Sequence, residues 1–161
     1  MAENHVTSIL TDPVTVELIE RSPLMRLGYT GLDGAPRVVP LAYVPREEEF
    51  VFCTIIGSAK VPALRRDPRV AITIDESFPP CCLLVRGLAR LEIVDGIPPE
   101  YLQAAFRTMP PEAHEQFEQQ VRGLYDQMVR ITVAPTWARL NDFVRTAPRA
   151  VEQAIAAKAS S

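Results

Sequence analysis

The chain is 161 residues long, 47% hydrophobic and 23% charged, with a formal net charge of -3 and an odd set of three cysteines. That length suits one domain able to bury a core without disulfide staples, and the interspersed charge offers no cationic footprint for nucleic acid. Cys53, Cys81 and Cys82 lack metal-ligand spacing, no apolar run nears the roughly 20 residues that span a bilayer, and the polar start has no signal-like core; a cytoplasmic protein with reduced thiols and no metal site is expected.

Residues 1–10 read as a loose arm. Asp12 followed by Pro13 is a helix start, an N-cap with proline at the first helical position, and Val14, Leu18 and Ile19 share a face over about 13–21. Leu24 to Thr30 reads as a strand, turned back by Gly31-Leu32-Asp33-Gly34 into a second strand from Pro36 to Val44. The run from Pro45 to Glu49 is expected to be a solvated turn, so three antiparallel strands precede residue 56.

The stretch from Phe50 to Glu76 organises the rest. Its pattern predicts a strand over Phe50 to Ile55, a Gly57-Ser58 turn, a short cationic helix starting at Lys60 or one residue either side, a stop at Asp67-Pro68, and a strand from Arg69 to Ile74. Gly57 permits a sharp bend, the Ser58 hydroxyl can cap or donate, and the Lys60 ammonium points the same way as the first amides of the helix. Such a turn suits a phosphate or another small dianion. It also suits a plain connection, because every strand-helix-strand unit needs a turn, and Arg65 and Arg66 are favoured by the helix dipole alone.

After Phe78-Pro79-Pro80, the run Cys81 to Val94 alternates for longer than any other segment, with Leu83, Val85, Gly87, Ala89, Leu91 and Ile93 on one face. Gly87 and Ala89 mark a close approach of backbone or ligand, as at a barrel corner. Two helices follow, about Glu100 to Thr108 and Glu112 to Tyr125, separated by Met109-Pro110-Pro111. Met128 to Val133 and Thr136 to Phe143 read as strands interrupted by Pro135, and 148–158 reads as a surface tail helix. Six or seven short strands with few helices make a mainly β domain, a small antiparallel barrel with its core over about 24–141.

Three pieces, RVVPLAY (Arg37 to Tyr43), FVFCTIIGSAKVPALRRDPRVAITID (Phe50 to Asp75) and VRGLARLEIV (Val85 to Val94), resemble the pyridoxamine-phosphate-oxidase-like family, which includes deazaflavin-dependent reductases. The resemblance implies an FMN-binding split β-barrel of Greek-key type and a homodimer with two flavin sites at its interface. It also implies that Arg37, Ser58 and Lys60 hold the cofactor phosphate while the backbone or side chains of Val39, Cys53 and Thr54 line the flavin ring. Two expected cations are replaced by Ala42 and Ala59, and the C-terminal Arg-Leu-x-Pro substrate segment is not found, which argues against a true pyridoxamine-phosphate oxidase and leaves F420 as an alternative to FMN.

In that family the cofactor carries the hydride, so the protein supplies position and electrostatics. No catalytic set stands out: His114, beside Glu112 and Glu115, reads as a solvated surface histidine and adjacent Cys81 and Cys82 as buried small hydrophobes, while Trp137 suits packing at the barrel edge or covering the cofactor ring, and Tyr43 suits the core or donation to a substrate. The expected activity is oxidoreduction of a small conjugated or carbonyl-containing molecule. The rivals are a flavin or haem sensor without turnover and a dimeric scaffold that has lost its cofactor.

Overall fold

Alternating apolar residues build seven strands in the computed structural model, which describes residues 2–145 and 148–159. The elements in chain order are α1 Ala2–Leu10, α2 Pro13–Arg21, β1 Leu24–Thr30, β2 Pro36–Ala42, β3 Val44–Arg46, β4 Glu49–Ile55, α3 Lys60–Arg66 and β5 Arg69–Ser77. They are followed by β6 Pro80–Asp95, α4 Pro99–Phe106, a 3-10 turn at Pro111–Ala113, α5 His114–Leu124, β7 Gln127–Asp142 and α6 Arg149–Ala159.

All pairings are antiparallel, in the order β2-β1-β5-β6-β7-β4-β3. The two edges of this sheet, β2 and β3, are consecutive in the chain and separated by Tyr43 alone. Two Cα–Cα steps span at most roughly 7.6 Å, so the sheet must curl until its edges meet at that corner. The result is a split barrel, closed at Tyr43 and open elsewhere along the seam. One face of each strand fills it, with Met25, Leu27, Phe52, Ile72, Ile74, Leu83, Val85 and Ile131 buried in one cluster. Each such large side chain contributes about 1.5–3 kcal/mol by leaving water.

The first ten residues are not a loose arm. Val6, Ile9 and Leu10, at helical spacing, bring α1 onto the barrel core, with Val6 and Leu10 buried, and Thr7 Oγ1 donates to Glu48 at 2.8 Å. The following helix begins as its N-cap dictates, Asp12 Oδ1 accepting from the Val14 amide at 2.8 Å.

Two strand expectations also change. The expected strand from Pro36 to Val44 breaks at Tyr43, and Val44 joins Pro45 and Arg46 of the supposed solvated turn as β3, leaving Glu47 at φ 53° in the tight turn to β4. Four strands, not three, therefore precede the turn at residue 57. Conversely β7 runs through Pro135 without ending: a register shift opposite Arg86 and Gly87 absorbs the missing donor. At that bulge a Cβ on Gly87 would lie 2.6 Å from the Ala134 carbonyl oxygen, so the glycine is required by the approach of a neighbouring backbone.

α4 and α5 form a separate layer over the outer face of β4. Ile97, Leu102, Val121 and Met128 are buried there, with Cys53, Tyr101, Phe106, Phe117 and Tyr125 packed around them. Among the described residues no helix is long and apolar enough to cross a membrane.

Candidate functional site

The β1–β2 loop is built by its sequence. The Gly31 amide donates to Ala35 O at 2.9 Å, the Gly34 amide to Gly31 O at 2.9 Å, and Gly34 adopts φ 82°. Asp33 Oδ1 accepts from the Ala35 amide at 3.0 Å, the local turn that aspartate favours. From α3, Arg66 Nη1 donates to Leu32 O at 2.6 Å and holds the loop against the helix.

The same end of the barrel carries the Ser58 turn. Its backbone is fixed by the Ser58 amide on Ile55 O and the Val61 amide on Ser58 O, both at 3.0 Å. Ser58 Oγ accepts only a long 3.4 Å bond from the Lys60 amide, and Ala59 gives α3 no side-chain cap. The Lys60 side chain, half-buried, makes no hydrogen bond or ion pair with any described residue.

Loop and turn meet at a cavity of about 260 Å³ lined by Tyr29, Gly31, Leu32, Asp33, Arg37 and Ala59. Arg37 lies on the row of β2 that continues through Val39 and Leu41, both packed on the core, so its guanidinium stands one pleat beyond the core at the barrel mouth. Thr54 holds the matching place on β4, one pleat beyond buried Phe52. Arg37 is not free: its Nη2 donates to Asp33 Oδ2 at 2.6 Å, and Nη1 makes long 3.4 Å bonds to the Ala35 and Pro36 carbonyls. That bond, with the Ala35 amide, holds the Asp33 carboxyl below its ordinary range.

Of the six residues expected at a cofactor site, Arg37 lines this cavity, Ser58 and Lys60 flank Ala59, which also lines it, and Val39 and Thr54 lie on the inward-facing rows of β2 and β4. Cys53 does not present its side chain there. Strand alternation turns its thiol to the helical layer, where burial pushes its pKa up to about 11 despite Arg130 and Arg46 nearby. Asp33, Tyr29 and Gly31 are cavity residues that sequence reasoning missed; an acid four residues before Arg37, across a tight turn, was the available signal.

The remaining candidates are structural. Tyr43 is fully buried, its hydroxyl donating to Ile19 O at 3.3 Å. His114, expected to be solvated, is half-buried and stacks on Phe106 with ring centroids 4.0 Å apart. Cys81 is buried, Cys82 partly so, and neither is in a disulfide. Trp137 packs under the Arg86 guanidinium at 4.6 Å.

Outside the mouth, a groove of about 580 Å³ crosses the outer face of β2, β1, β5 and β6, lined in part by Gly28, Val38, Ala71, Arg86 and Leu88. Val38 is 71% and Leu88 45% exposed, an apolar surface that begins next to Arg37.

The fold defines a split-barrel protein. The pyridoxamine 5'-phosphate oxidase family model matches residues 11–142, and the chain belongs to that family. No curated protein sequence matches the chain. Among solved structures, a conserved hypothetical protein of Mycobacterium tuberculosis is 19% identical with a TM-score of 0.60, covering 82% of this chain and 85% of that one. A pyridoxamine 5'-phosphate oxidase-related, FMN-binding protein of Nostoc punctiforme is 14% identical with a TM-score of 0.59, covering 84% and 85%. An F420 reductase is 23% identical with a TM-score of 0.55, covering 76% and 94%. At these identities the likeness concerns the fold.

Proposed function

We propose that the protein is an FMN-dependent oxidoreductase, a cytoplasmic homodimer that acts on a small conjugated or carbonyl-containing molecule rather than on pyridoxamine phosphate. One observation carries the reading: Arg37 and Ala59 line one cavity at the barrel mouth, and Ala59 is flanked in the chain by Ser58 and by Lys60, whose ammonium is unpaired among the described residues. Arg37, Ser58 and Lys60 would hold a terminal phosphate by charge-assisted hydrogen bonds, each about 1.5–3 kcal/mol. Val39, Thr54 and the Cys53 backbone would border the ring, which supplies the hydride chemistry when bound. The exposed Val38 and Leu88 groove supports a second copy closing over that ring.

Ala59 favours a second reading, an F420-dependent reductase. It lines the cavity with a methyl where the family resemblance leads one to expect a cation, and with Ala42 it lowers the positive charge available to FMN. A cofactor with a longer tail would spread its contacts.

The test is an absorption spectrum of the purified protein during titration with FMN and then F420. Saturation by FMN, weakened tenfold or more by Lys60→Ala with the fold intact, is expected. Equal affinity in the variant overturns the phosphate site, and binding of neither cofactor overturns the oxidoreductase in favour of a scaffold.

A further inference from the structure

Resting on the proposed phosphate site, we infer that Asp33 is a built-in counter-ion that competes with the terminal phosphate of the cofactor for Arg37 and so sets how strongly the phosphate is bound. The Asp33 carboxylate and the Arg37 guanidinium line the same cavity and are joined at 2.6 Å. This is not a chance surface pairing of two mobile side chains. Oδ1 of Asp33 is held by the Ala35 amide at 3.0 Å, and the loop beneath it is held to α3 by Arg66 on Leu32 O at 2.6 Å. Gly31 leaves room for the arrangement: a Cβ there would stand 2.8 Å from Asp33 Oδ1 and 3.1 Å from Arg37 Cζ, so a larger residue would displace the ends of both side chains from this pairing.

The chemistry of the competition is direct. A guanidinium offers planar paired donors that suit a carboxylate or a phosphate equally. A phosphate monoester entering this mouth meets Lys60 and Ser58 open, but at Arg37 it must displace a carboxylate that stays ionised at neutral pH. The displaced carboxylate remains tethered by the Ala35 amide and repels the incoming dianion across a solvent-exposed distance. Together these effects lower affinity for a phosphorylated ligand by about three- to tenfold and leave the same ring without phosphate unaffected.

The experiment compares FMN with riboflavin, which has the same ring and no phosphate, by fluorescence titration of the full chain. Wild type, Asp33→Asn, Lys60→Ala and the double variant Asp33→Asn/Arg37→Ala are used. Asparagine keeps Oδ1 for the Ala35 amide and removes only the charge; Asp33→Ser keeps an oxygen acceptor if the asparagine variant melts early. The expected result is FMN bound about three- to tenfold tighter by Asp33→Asn, unchanged riboflavin binding, and no gain in the double variant. If Lys60→Ala weakens FMN but Asp33→Asn leaves it unchanged or weaker, or tightens riboflavin equally, the inference fails and the phosphate site stands. If wild type binds FMN no better than riboflavin, or binds neither, the phosphate site fails and the inference with it.

Discussion

The guanidinium of Arg107 lies 4.9 Å from the centre of the Tyr43 ring, and its Nη1 donates to the carbonyl of that same residue at 2.8 Å. Tyr43 is the one residue between the two edge strands of the sheet, so the cation clamps the point at which the barrel closes. Its Nη2 donates to Ile19 O at 2.5 Å and to Ser22 O at 3.3 Å, the carbonyls ending α2, where positive charge also complements the helix dipole. A single side chain thus ties the helical layer, the first helices and the barrel seam.

Arg107→Ala removes this donor from the Tyr43, Ile19 and Ser22 carbonyls, of which Ile19 O keeps the Tyr43 hydroxyl, and takes the cation from the ring. A loss of about 2–3 kcal/mol in unfolding free energy is expected, with Arg107→Lys restoring part of it because an ammonium lacks the planar fork that reaches the Tyr43 carbonyl and the end of α2 together. Urea unfolding measures this, and a loss under about 0.5 kcal/mol for the alanine variant would mean that water replaces the clamp without cost.

Gly87→Ala tests the register shift where Arg86 and Gly87 of β6 pair with Trp137 and Pro135 of β7. The added Cβ meets the Ala134 carbonyl oxygen at 2.6 Å and Val133 Cγ1 at 2.8 Å, and because the first is backbone it cannot swing away. Overpacking of this kind costs about 1–3 kcal/mol, which lowers the melting temperature by about 2–12 °C in a chain of this size. An unchanged melt would show that β7 can shift at Pro135.

The strands were legible because one face of each is buried, and period two then marks the chain directly: Leu24–Thr30 falls where the sequence puts it. What escaped has particular causes. α1 was hidden because its apolar residues, Val6, Ile9 and Leu10, make less than two full turns in a polar stretch, and only the barrel end they cover makes them a face. β3 escaped because three residues carry no period. At the mouth, Arg37, Ser58 and Lys60 could be named, yet their state could not, since the Asp33 partner depends on how a four-residue loop folds. The direction of the Cys53 thiol depended on whether a helical layer covers the outer face of β4.

Glu100, buried at the first turn of α4, accepts from Arg46 at Oε1 and from Arg130 at Oε2, the latter at 3.0 Å. Arg130 also reaches Glu92 at 2.8 Å, while its Nε is buried without a partner. Glu100→Gln removes the one buried negative charge between two guanidinium groups, and a loss of about 2–4 kcal/mol is expected. Arg46 is about half exposed, so Arg46→Met should cost under about 1 kcal/mol. Chemical denaturation of both variants decides it: equal losses would mean that the carboxylate is stabilised by its packing and not by its charge.

The thiol of Cys53 is raised from its ordinary 9.0 to about 11, chiefly by burial against the helical layer. Two consequences follow from one shift. At pH 8 its thiolate population is about 100-fold below that of an unperturbed cysteine, so iodoacetamide should label it slowly in the folded protein and rapidly once the chain is unfolded. In addition the unfolded chain loses this proton near 9.0 while the folded chain keeps it to about 11. The folded state therefore binds more protons within that window, and stability falls as pH rises through it, with no effect of this group below about pH 9. Cys53→Ser should flatten that part of the alkaline stability curve, since serine does not titrate there. Rapid labelling of Cys53 at pH 8 by peptide mapping, or an alkaline slope identical in the serine variant, would place the thiol in water and remove the helical layer as its cover.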